Sequence, residues 1–406
     1  MKKRLFFLFT LGFAVLASGA TWVLNPDVLE ERLPLGVTSE ELVRALGKEG
    51  IEIRFETQEA RNLWKGNRTS ISLSPTPFAP YHLWIDVEGR KTLDECTADE
   101  LAALYGSVWK ARKALGEVMS PDSFMIFTTE EKRNGKGSAS VGMEIIPYGF
   151  GGSGGIMDVV EKQTLNSYLF YNHFRAKKVD YPPETLMAIQ EKLAALQPFV
   201  PEEEPEGLWT QKMLRHTEAL HQNLEVIRNR LVETGIFIEG ELPPLPAVEE
   251  QVDEIQIDLD RCAFCNPAVI AKQLICEWKS VYILLGHKPF SPHGNFLILP
   301  KRHQCAWDLT DQEAIDSFEA VIGLKKMFSE MMGLTDWVCY IQDGPAAGQT
   351  VPHTHIHFMV PSDPLKLAIS GLQQIHNERP ILPYEKMRSE CERIKPLLMA
   401  QLDKNL

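Results

Sequence analysis

The sequence lacks a surplus of basic residues. Its 406 residues include 42 Lys and Arg against 55 Asp and Glu, which gives a formal net charge of −13 at pH 7. No basic tract interleaved with aromatic residues is present either. Proteins that bind nucleic acid need cations to neutralise phosphates. We therefore expect no nucleic-acid partner, and a small anionic ligand would need a local positive site.

A disulfide framework is also missing. The chain has seven cysteines, an odd number, at irregular spacings. Small exported proteins that depend on disulfides usually carry an even number at regular spacings. This cysteine usage therefore suits a reducing compartment such as the cytoplasm.

One long apolar run stands at the N-terminus. Residues 1–4 (MKKR) are basic, residues 5–17 are apolar, and residues 18–20 (SGA) offer a small-residue cleavage site. Without cleavage the apolar run continues to residue 24, which is about the 20 residues that a spanning helix needs. We predict that residues 1–24 form a hydrophobic leader helix, either a signal peptide or a membrane anchor. That places the protein at a membrane or outside the cytoplasm, in conflict with its cysteine usage; a buried N-terminal helix is the alternative.

Three histidines alternate with other residues near the C-terminus, in residues 351–361 (VPHTHIHFMVP). Alternation at period two indicates one face of a β-strand, with neighbouring rings about 7 Å apart. Proline at either end of the run suits the ends of a strand. Such a face could hold one metal ion. The preceding residues 344–350 (GPAAGQT) form a small-residue turn that could approach an anion closely.

Two further patterns contain metal-binding residue types. Cys262 and Cys265 form a Cys-x-x-Cys motif, which is typical of half a zinc site but also of a redox pair or a local disulfide. Residues 296–303 (FLILPKRH) read as a strand that ends in a basic segment and a histidine.

Taken together, these motifs resemble the histidine triad (HIT) superfamily. The run GQTVPHTHIH at 348–357 is similar to its signature, and FLILPKRH is similar to the family strand that ends in Pro-Lys-Arg-His. The resemblance covers about residues 258–365. It implies an α+β fold, in which an antiparallel sheet packs against helices.

The resemblance also implies roles for individual residues. Zinc-bearing relatives use a cysteine pair, a mid-domain histidine and the first triad histidine, which here correspond to Cys262, Cys265, His303 and His353. Four such ligands form a closed structural zinc site; Cys305 is a rival ligand. His355 would then be the nucleophile and His357 its catalytic partner. The expected substrate-binding residues are Gln342, Gly348, Gln349 and Thr350.

The implied activity is hydrolysis or transfer at the α-phosphate of a nucleotide, through a covalent nucleotidyl-histidine at His355. Transferase branches of the superfamily typically carry glutamine at the third triad position, so His357 favours a hydrolase. The ribose-binding region differs from the family pattern, and this leaves an alternative open. In that alternative the protein is a non-enzymatic, membrane-anchored nucleotide-binding or scaffold protein with structural zinc.

Landmarks of the second half recur in the first half at a nearly constant offset. Residues 77–80 (PFAP) precede residues 289–292 (PFSP) by 212 positions, two capping boxes start 213 positions apart, and residues 145–147 (IIP) precede 359–361 (MVP) by 214. We predict a duplicated domain, folded as a pseudo-dimer within one chain. On this alignment Ala139, Val141 and Met143 replace the three histidines and Lys91 stands opposite His303, so the first copy is catalytically empty.

The predicted layout has six parts: the leader at 1–24, a degenerate HIT-like domain at 38–150, a helical connector at 151–240, a Pro-rich acidic linker at 241–257, the HIT domain at 258–365 and a C-terminal helical tail at 366–406. In the tail we expect a helix over about 384–403, interrupted by Pro396.

Overall fold

The architecture was taken from a computed structural model of the chain. It describes residues 22–24, 53–55, 62–74, 81–121, 123–133, 139–148, 183–196, 207, 209–215, 218, 262–287, 289, 294–335, 337–360 and 382–404. Several predicted features lie outside these residues: the leader up to residue 21, most of the helical connector, the linker at 241–257 and the start of the tail.

Ten strands form a single antiparallel sheet. In chain order they are β3 (Asn62–Lys65), β4 (Thr69–Leu73), β5 (Leu83–Val87), β6 (Ser123–Arg133), β7 (Ala139–Tyr148), β8 (Leu274–Trp278), β9 (Val281–Leu285), β10 (Asn295–Pro300), β11 (Val338–Asp343) and β12 (Ile356–Met359). Their order across the sheet is β3-β4-β5-β7-β6-β11-β12-β10-β9-β8. The first five positions come from the first half of the chain and the last five from the second half, in reverse order.

The end of the predicted leader helix is a strand. Residues Trp22–Leu24 form β1, which pairs in parallel with β2 (Ile53–Phe55) in a separate two-stranded sheet. The helix prediction is therefore wrong for these residues, and the β-propensity of Trp and Val agrees with the observed strand. Among the described residues, no helix is both long and apolar enough to cross a bilayer.

Two long helices cover the sheet, one from each half. α1 (Ala98–Met119) begins after Thr97, whose hydroxyl accepts from the Glu100 amide while the Glu100 carboxylate accepts from the Thr97 amide. α4 (Asp311–Met332) begins with the same capping box between Thr310 and Glu313. Both predicted capping boxes are confirmed, and they satisfy amides that the first helical turn leaves without partners.

Three further helices lie among the described residues. α2 (Pro183–Ala195) lies in the predicted connector, α3 (Pro267–Gln273) precedes β8, and α5 (Tyr384–Asp403) is the predicted tail helix. α5 runs through Pro396, so the expected interruption does not occur. Leu398 and Leu402 of α5 lie in the core, where they pack against Gly323 of α4.

The main core lies between the helices and one face of the sheet. Alternate residues of the central strands point into it: Ile85, Ile126 and Met143 in the first half, and Ile298, Ile341 and Ile356 in the second. All six are essentially inaccessible to solvent. Period-two alternation on the strands and the apolar faces of α1 and α4 thus build one core across both halves.

The strand register establishes the duplication residue by residue. Ile85 pairs with Met143 in the first half, and the equivalent pair in the second half is Ile298 with Ile356. Ile298 lies 213 positions after Ile85, and Ile356 lies 213 positions after Met143. This register corrects the predicted alignment by one residue, because Ser140, Gly142 and Glu144, rather than Ala139, Val141 and Met143, occupy the places of the three histidines. A one-residue slip matters because it moves side chains to the other face of a strand.

The two halves meet at the pairing of β6 with β11. Phe127 pairs with Tyr340, which is its own counterpart 213 positions later. The two neighbouring pairs, Ile126–Ile341 and Thr128–Cys339, are also equivalent to each other, because Cys339 is the counterpart of Ile126 and Ile341 is the counterpart of Thr128. The contact is therefore isologous, as in a two-fold symmetric dimer. The chain is an intrachain pseudo-dimer.

Candidate functional site

Four side chains from three separate segments converge beside the triad. Cys262 and Cys265 flank a short turn before α3, His303 follows β10, and His353 precedes β12. Their ligand atoms all lie within 4.8 Å of one another. Two thiols and two imidazoles at this separation can bind one metal ion.

The His353 ring is oriented for metal binding by its own hydrogen bond. Its Nε2 lies 3.0 Å from the Pro300 carbonyl oxygen and therefore carries the proton. Nδ1 then carries a free electron pair, and it lies 3.7 and 3.6 Å from the Cys262 and Cys265 sulfurs. Metal-ligating histidines commonly have such a second hydrogen bond. Burial lowers the pKa of His353 to about 4, which favours the neutral form that can bind a metal.

His303 completes the cluster from the exposed side. Its Nδ1 lies 3.2 Å from the Cys265 sulfur. Cys305, the rival ligand, lies 3.7 Å from the other nitrogen of His303, Nε2, and its thiol donates to the Pro352 carbonyl at 3.2 Å. The donor set of four therefore consists of the residues that were predicted, and Cys305 lies behind His303.

His355 is turned away from the cluster. Its Nδ1–H donates to the His353 carbonyl at 2.7 Å, so Nε2 retains the electron pair. The ring packs edge-on against Phe264, with 5.1 Å between centroids. Burial lowers the pKa of His355 to about 4. This residue is thus a neutral imidazole with one directed lone pair.

His357, on β12, stacks on Tyr340 and lies beside His355. Its ring lies parallel to Tyr340 on β11, with centroids 4.6 Å apart and an interplanar angle of 6°. The His355 ring centroid is also 4.6 Å away, and Asn295 Nδ2 is 3.4 Å from His357 Nδ1. The two imidazoles can therefore act on neighbouring atoms of one bound group.

The alternation predicts that the three histidines share one face of a strand, but the structure differs from this prediction. β12 begins only at Ile356, so His357 is in the strand while His353 and His355 precede it. The Thr354 amide donates to the Gln304 carbonyl instead of to a strand. The chain before β12 is therefore drawn towards the segment after His303, and the ring spacing is shorter than a strand would give.

The predicted anion-binding turn is a tightly bonded loop. Gly344 and Gly348 both have positive φ angles, 108° and 93°, around a single 3-10 turn. The Gly348 and Gln349 amides donate to the carbonyls of Pro345 and Gly344. These two donors were expected to face a phosphate, but in this structure loop carbonyls occupy them. Thr350, at the end of the loop, is exposed.

Two glutamines fix this loop with their side chains. Gln349 accepts from the Gly344 amide at 2.7 Å and donates to the carbonyls of Cys305 and Val351. Gln342 donates to the Ala347 carbonyl at 2.9 Å. Both were predicted to contact substrate, whereas their observed hydrogen bonds hold the loop against β11 and against the segment after His303.

Three neighbours of the triad were not predicted: Phe264, Asn295 and Tyr340. Phe264 lies between the two cysteines, and its position inside Cys-x-x-Cys was the available signal. Asn295 and Tyr340 contact His357 only because β10 and β11 flank β12. Sequence spacing has no information about which strands are neighbours across a sheet.

Several known proteins are similar to this chain. A family profile described as HIT domain matches residues 268–363. A bis(5'-adenosyl)-triphosphatase of Dictyostelium discoideum is 34% identical over 121 residues, which cover 29% of this chain and 78% of that protein. A protein of the same name from Saccharomyces cerevisiae is 33% identical over 103 residues, 25% of this chain and 50% of its own length. The solved structure of a galt-like protein from Arabidopsis thaliana is similar over 82% of this chain and 88% of its own, at 12% identity and a TM-score of 0.42.

Proposed function

Because the chain belongs to the HIT family, we propose that it hydrolyses a nucleotide substrate at the α-phosphate, with His355 as the nucleophile. The observation that supports this most directly is the state of the His355 ring. Its Nδ1 proton is held by the His353 carbonyl, and burial disfavours protonation of Nε2. A neutral, oriented imidazole is the form that can attack phosphorus.

The reaction would proceed in two displacements. In the first, the lone pair of His355 Nε2 forms a bond to the α-phosphorus, and the bond from phosphorus to the leaving phosphate oxygen breaks with its electron pair. In the second, water attacks the same phosphorus, the nitrogen–phosphorus bond breaks, and the water proton leaves. A nucleoside monophosphate is released and His355 returns to its neutral form. His357, 4.6 Å from the His355 ring, would orient the phosphate or handle these protons.

The metal cluster would have a structural role. Cys262, Cys265, His303 and His353 would hold zinc with a closed set of four ligands, and the ion would join three segments of the second half. Metal binding would thereby stabilise the carbonyl of His353 on which His355 depends. Thr350 is the predicted substrate contact that is open to solvent, and its hydroxyl and amide would face a phosphate.

The relatives support one substrate class as the first to test. Two of them are bis(5'-adenosyl)-triphosphatases, so a dinucleoside triphosphate is the substrate to test first. We expect the full chain to convert diadenosine triphosphate to AMP and ADP, measured by ion-exchange chromatography. His355→Ala should abolish turnover, and intact mass should detect a nucleotidyl adduct only in protein that has His355.

A matched control is available in the first half. His82 is a buried histidine whose counterpart in the second half is Asn295, so His82→Asn substitutes a residue that the fold already uses at the equivalent position. This variant should keep full activity. Equal turnover by the parent protein and His355→Ala would remove His355 as the nucleophile. No turnover of dinucleoside polyphosphates or nucleoside phosphoramidates, together with tight nucleotide binding, would favour the non-enzymatic alternative.

A further inference from the structure

Side chains of the first half contact the two segments that form the site in the second half. These segments are residues 303–309, which follow β10, and residues 343–350, which begin at the last residue of β11. We infer that Arg112, on α1 of the first half, is a positioning residue for the reaction at His355. The inference rests on the proposed function, and it gives the catalytically empty half a role in catalysis.

Arg112 joins the two segments through one buried guanidinium. Its Nε donates to Asp343, the last residue of β11, and its Nη1 donates to Asp308 at 2.9 Å. The second oxygen of Asp343 accepts from the Trp307 amide at 3.1 Å. Burial alone would lower the pKa of Arg112, but Asp343 and Asp308 outweigh burial and raise it. A charged guanidinium that bridges two carboxylates thus fixes Asp343 directly before the loop at 344–350.

Two further side chains of the first half hold the same segments. The Tyr105 hydroxyl accepts from the Leu309 amide at 2.6 Å and lies 3.4 Å from the Trp307 carbonyl. The Ser123 hydroxyl accepts from the Ala346 amide at 3.0 Å, within the loop itself. Both contacts are buried. The first half therefore bonds directly to the backbone of each segment.

From these anchors the hydrogen bonds continue towards His355. Gln349 links Gly344 to Cys305, and the Thr354 amide donates to Gln304. Thr354 lies between the first two triad histidines. Displacing Asp343 would therefore shift the loop and the backbone that orients His355. Misplacement of catalytic groups by about 1 Å can cost on the order of a hundredfold in rate.

The pseudo-symmetry supplies a matched control. Lys325, 213 positions after Arg112, bonds to Asp94 at 2.9 Å and to Glu130 at 2.8 Å, and Glu130 accepts from the Leu93 amide. This cluster repeats the Arg112 arrangement with the halves exchanged. It faces the part of the first half in which Gly142 stands in the place of His355. An effect on stability should therefore appear at both Arg112 and Lys325, whereas an effect on catalysis should be confined to Arg112.

The experiment compares Arg112→Gln and Arg112→Lys with Lys325→Gln in the full chain. We expect Arg112→Gln to lower kcat for diadenosine triphosphate by about ten- to a hundredfold, and Arg112→Lys to recover part of the loss because it keeps the charge. Lys325→Gln should also lower the unfolding temperature, yet leave kcat near that of the parent. Equal kcat losses in Arg112→Gln and Lys325→Gln would overturn the inference.

A milder pair keeps the test valid if Arg112→Gln fails to fold. Ser123→Ala removes the acceptor of the Ala346 amide, while Ser107→Ala removes a buried serine that bonds to Thr69 within the first half. Only Ser123→Ala should lower kcat. Hydrogen exchange gives a readout that needs no turnover: amides at 344–350 should exchange faster in Ser123→Ala and Arg112→Lys than in Lys325→Gln. Unchanged exchange there would refute positioning, whereas an inactive parent with altered exchange would refute only the proposed function.

Discussion

At the scale of single residues, the two halves differ at the position of the proposed nucleophile. The position of His355 is Gly142 in the first half. A Cβ at Gly142 would lie 2.0 Å from the Ile85 carbonyl oxygen and 2.9 Å from the Trp84 ring. No side chain fits without moving backbone. The first copy is therefore blocked at this position, and its loss of the histidines is built into the local packing.

This close approach predicts a sharp effect on stability. We expect Gly142→Ala to lower the free energy of unfolding by about 1–3 kcal/mol, because the added methyl group meets a backbone oxygen that cannot rotate away. Gly106→Ala is the control: Gly106 lies within α1, and nothing lies within 4 Å of its added Cβ. It should stabilise the protein by roughly 0.5–1 kcal/mol. Denaturant unfolding measures both, and destabilisation by Gly106→Ala would contradict this account.

The metal cluster makes a second residue-level prediction. Zinc analysis of the purified chain should find about one ion per chain, and Cys262→Ser should lose it because three ligands remain. Removing the ion with a chelator should lower the unfolding temperature by roughly 5–10 °C. Cys96→Ser replaces a half-buried thiol of the first half and should retain the metal. A parent protein free of zinc, and indifferent to chelator, would rule out the structural site.

At the scale of elements, the sequence predicts helix starts far better than it predicts the triad strand. A capping box is a local pattern. Thr97 with Glu100, and Thr310 with Glu313, bond to the backbone amides at the start of their own helices, so the local sequence is sufficient to predict where each helix begins. The triad segment depends on distant partners. His353 is held by the Pro300 carbonyl and Thr354 by that of Gln304. Alternation alone could not reveal that the strand begins only at Ile356.

The duplication shows the same limit. Landmarks at offsets of 212, 213 and 214 were enough to predict two copies, because loops of different length change the spacing but not the order of elements. They were not enough to align Gly142 with His355. The pairs Ile85–Met143 and Ile298–Ile356 fix the offset on the strands around the triad at 213. The four residues of the candidate metal site were predictable because motif chemistry, rather than register, identifies them.

At the scale of the whole molecule, the sheet unites the two halves. The β6–β11 pairing continues the hydrogen-bond ladder across the pseudo-two-fold axis, and one core lies beneath it. Two charged clusters cross the joint in opposite directions, through Arg112 and through Lys325. Separating the halves would expose strand edges and leave buried charges without partners, which costs several kcal/mol for each broken pair. Neither half is therefore expected to unfold alone.

Calorimetry of the full chain should accordingly show a single unfolding transition. Gly142→Ala perturbs the first half and Cys262→Ser the second, yet each should shift the whole of that transition to lower temperature, because the ladder and the crossing ion pairs couple the two halves. Lys325→Gln, which weakens the joint itself, should lower the transition temperature and also broaden the transition. Two resolved transitions in the parent, with Gly142→Ala moving only one, would show that the halves are independent domains, and the first half could not then position the site in the second.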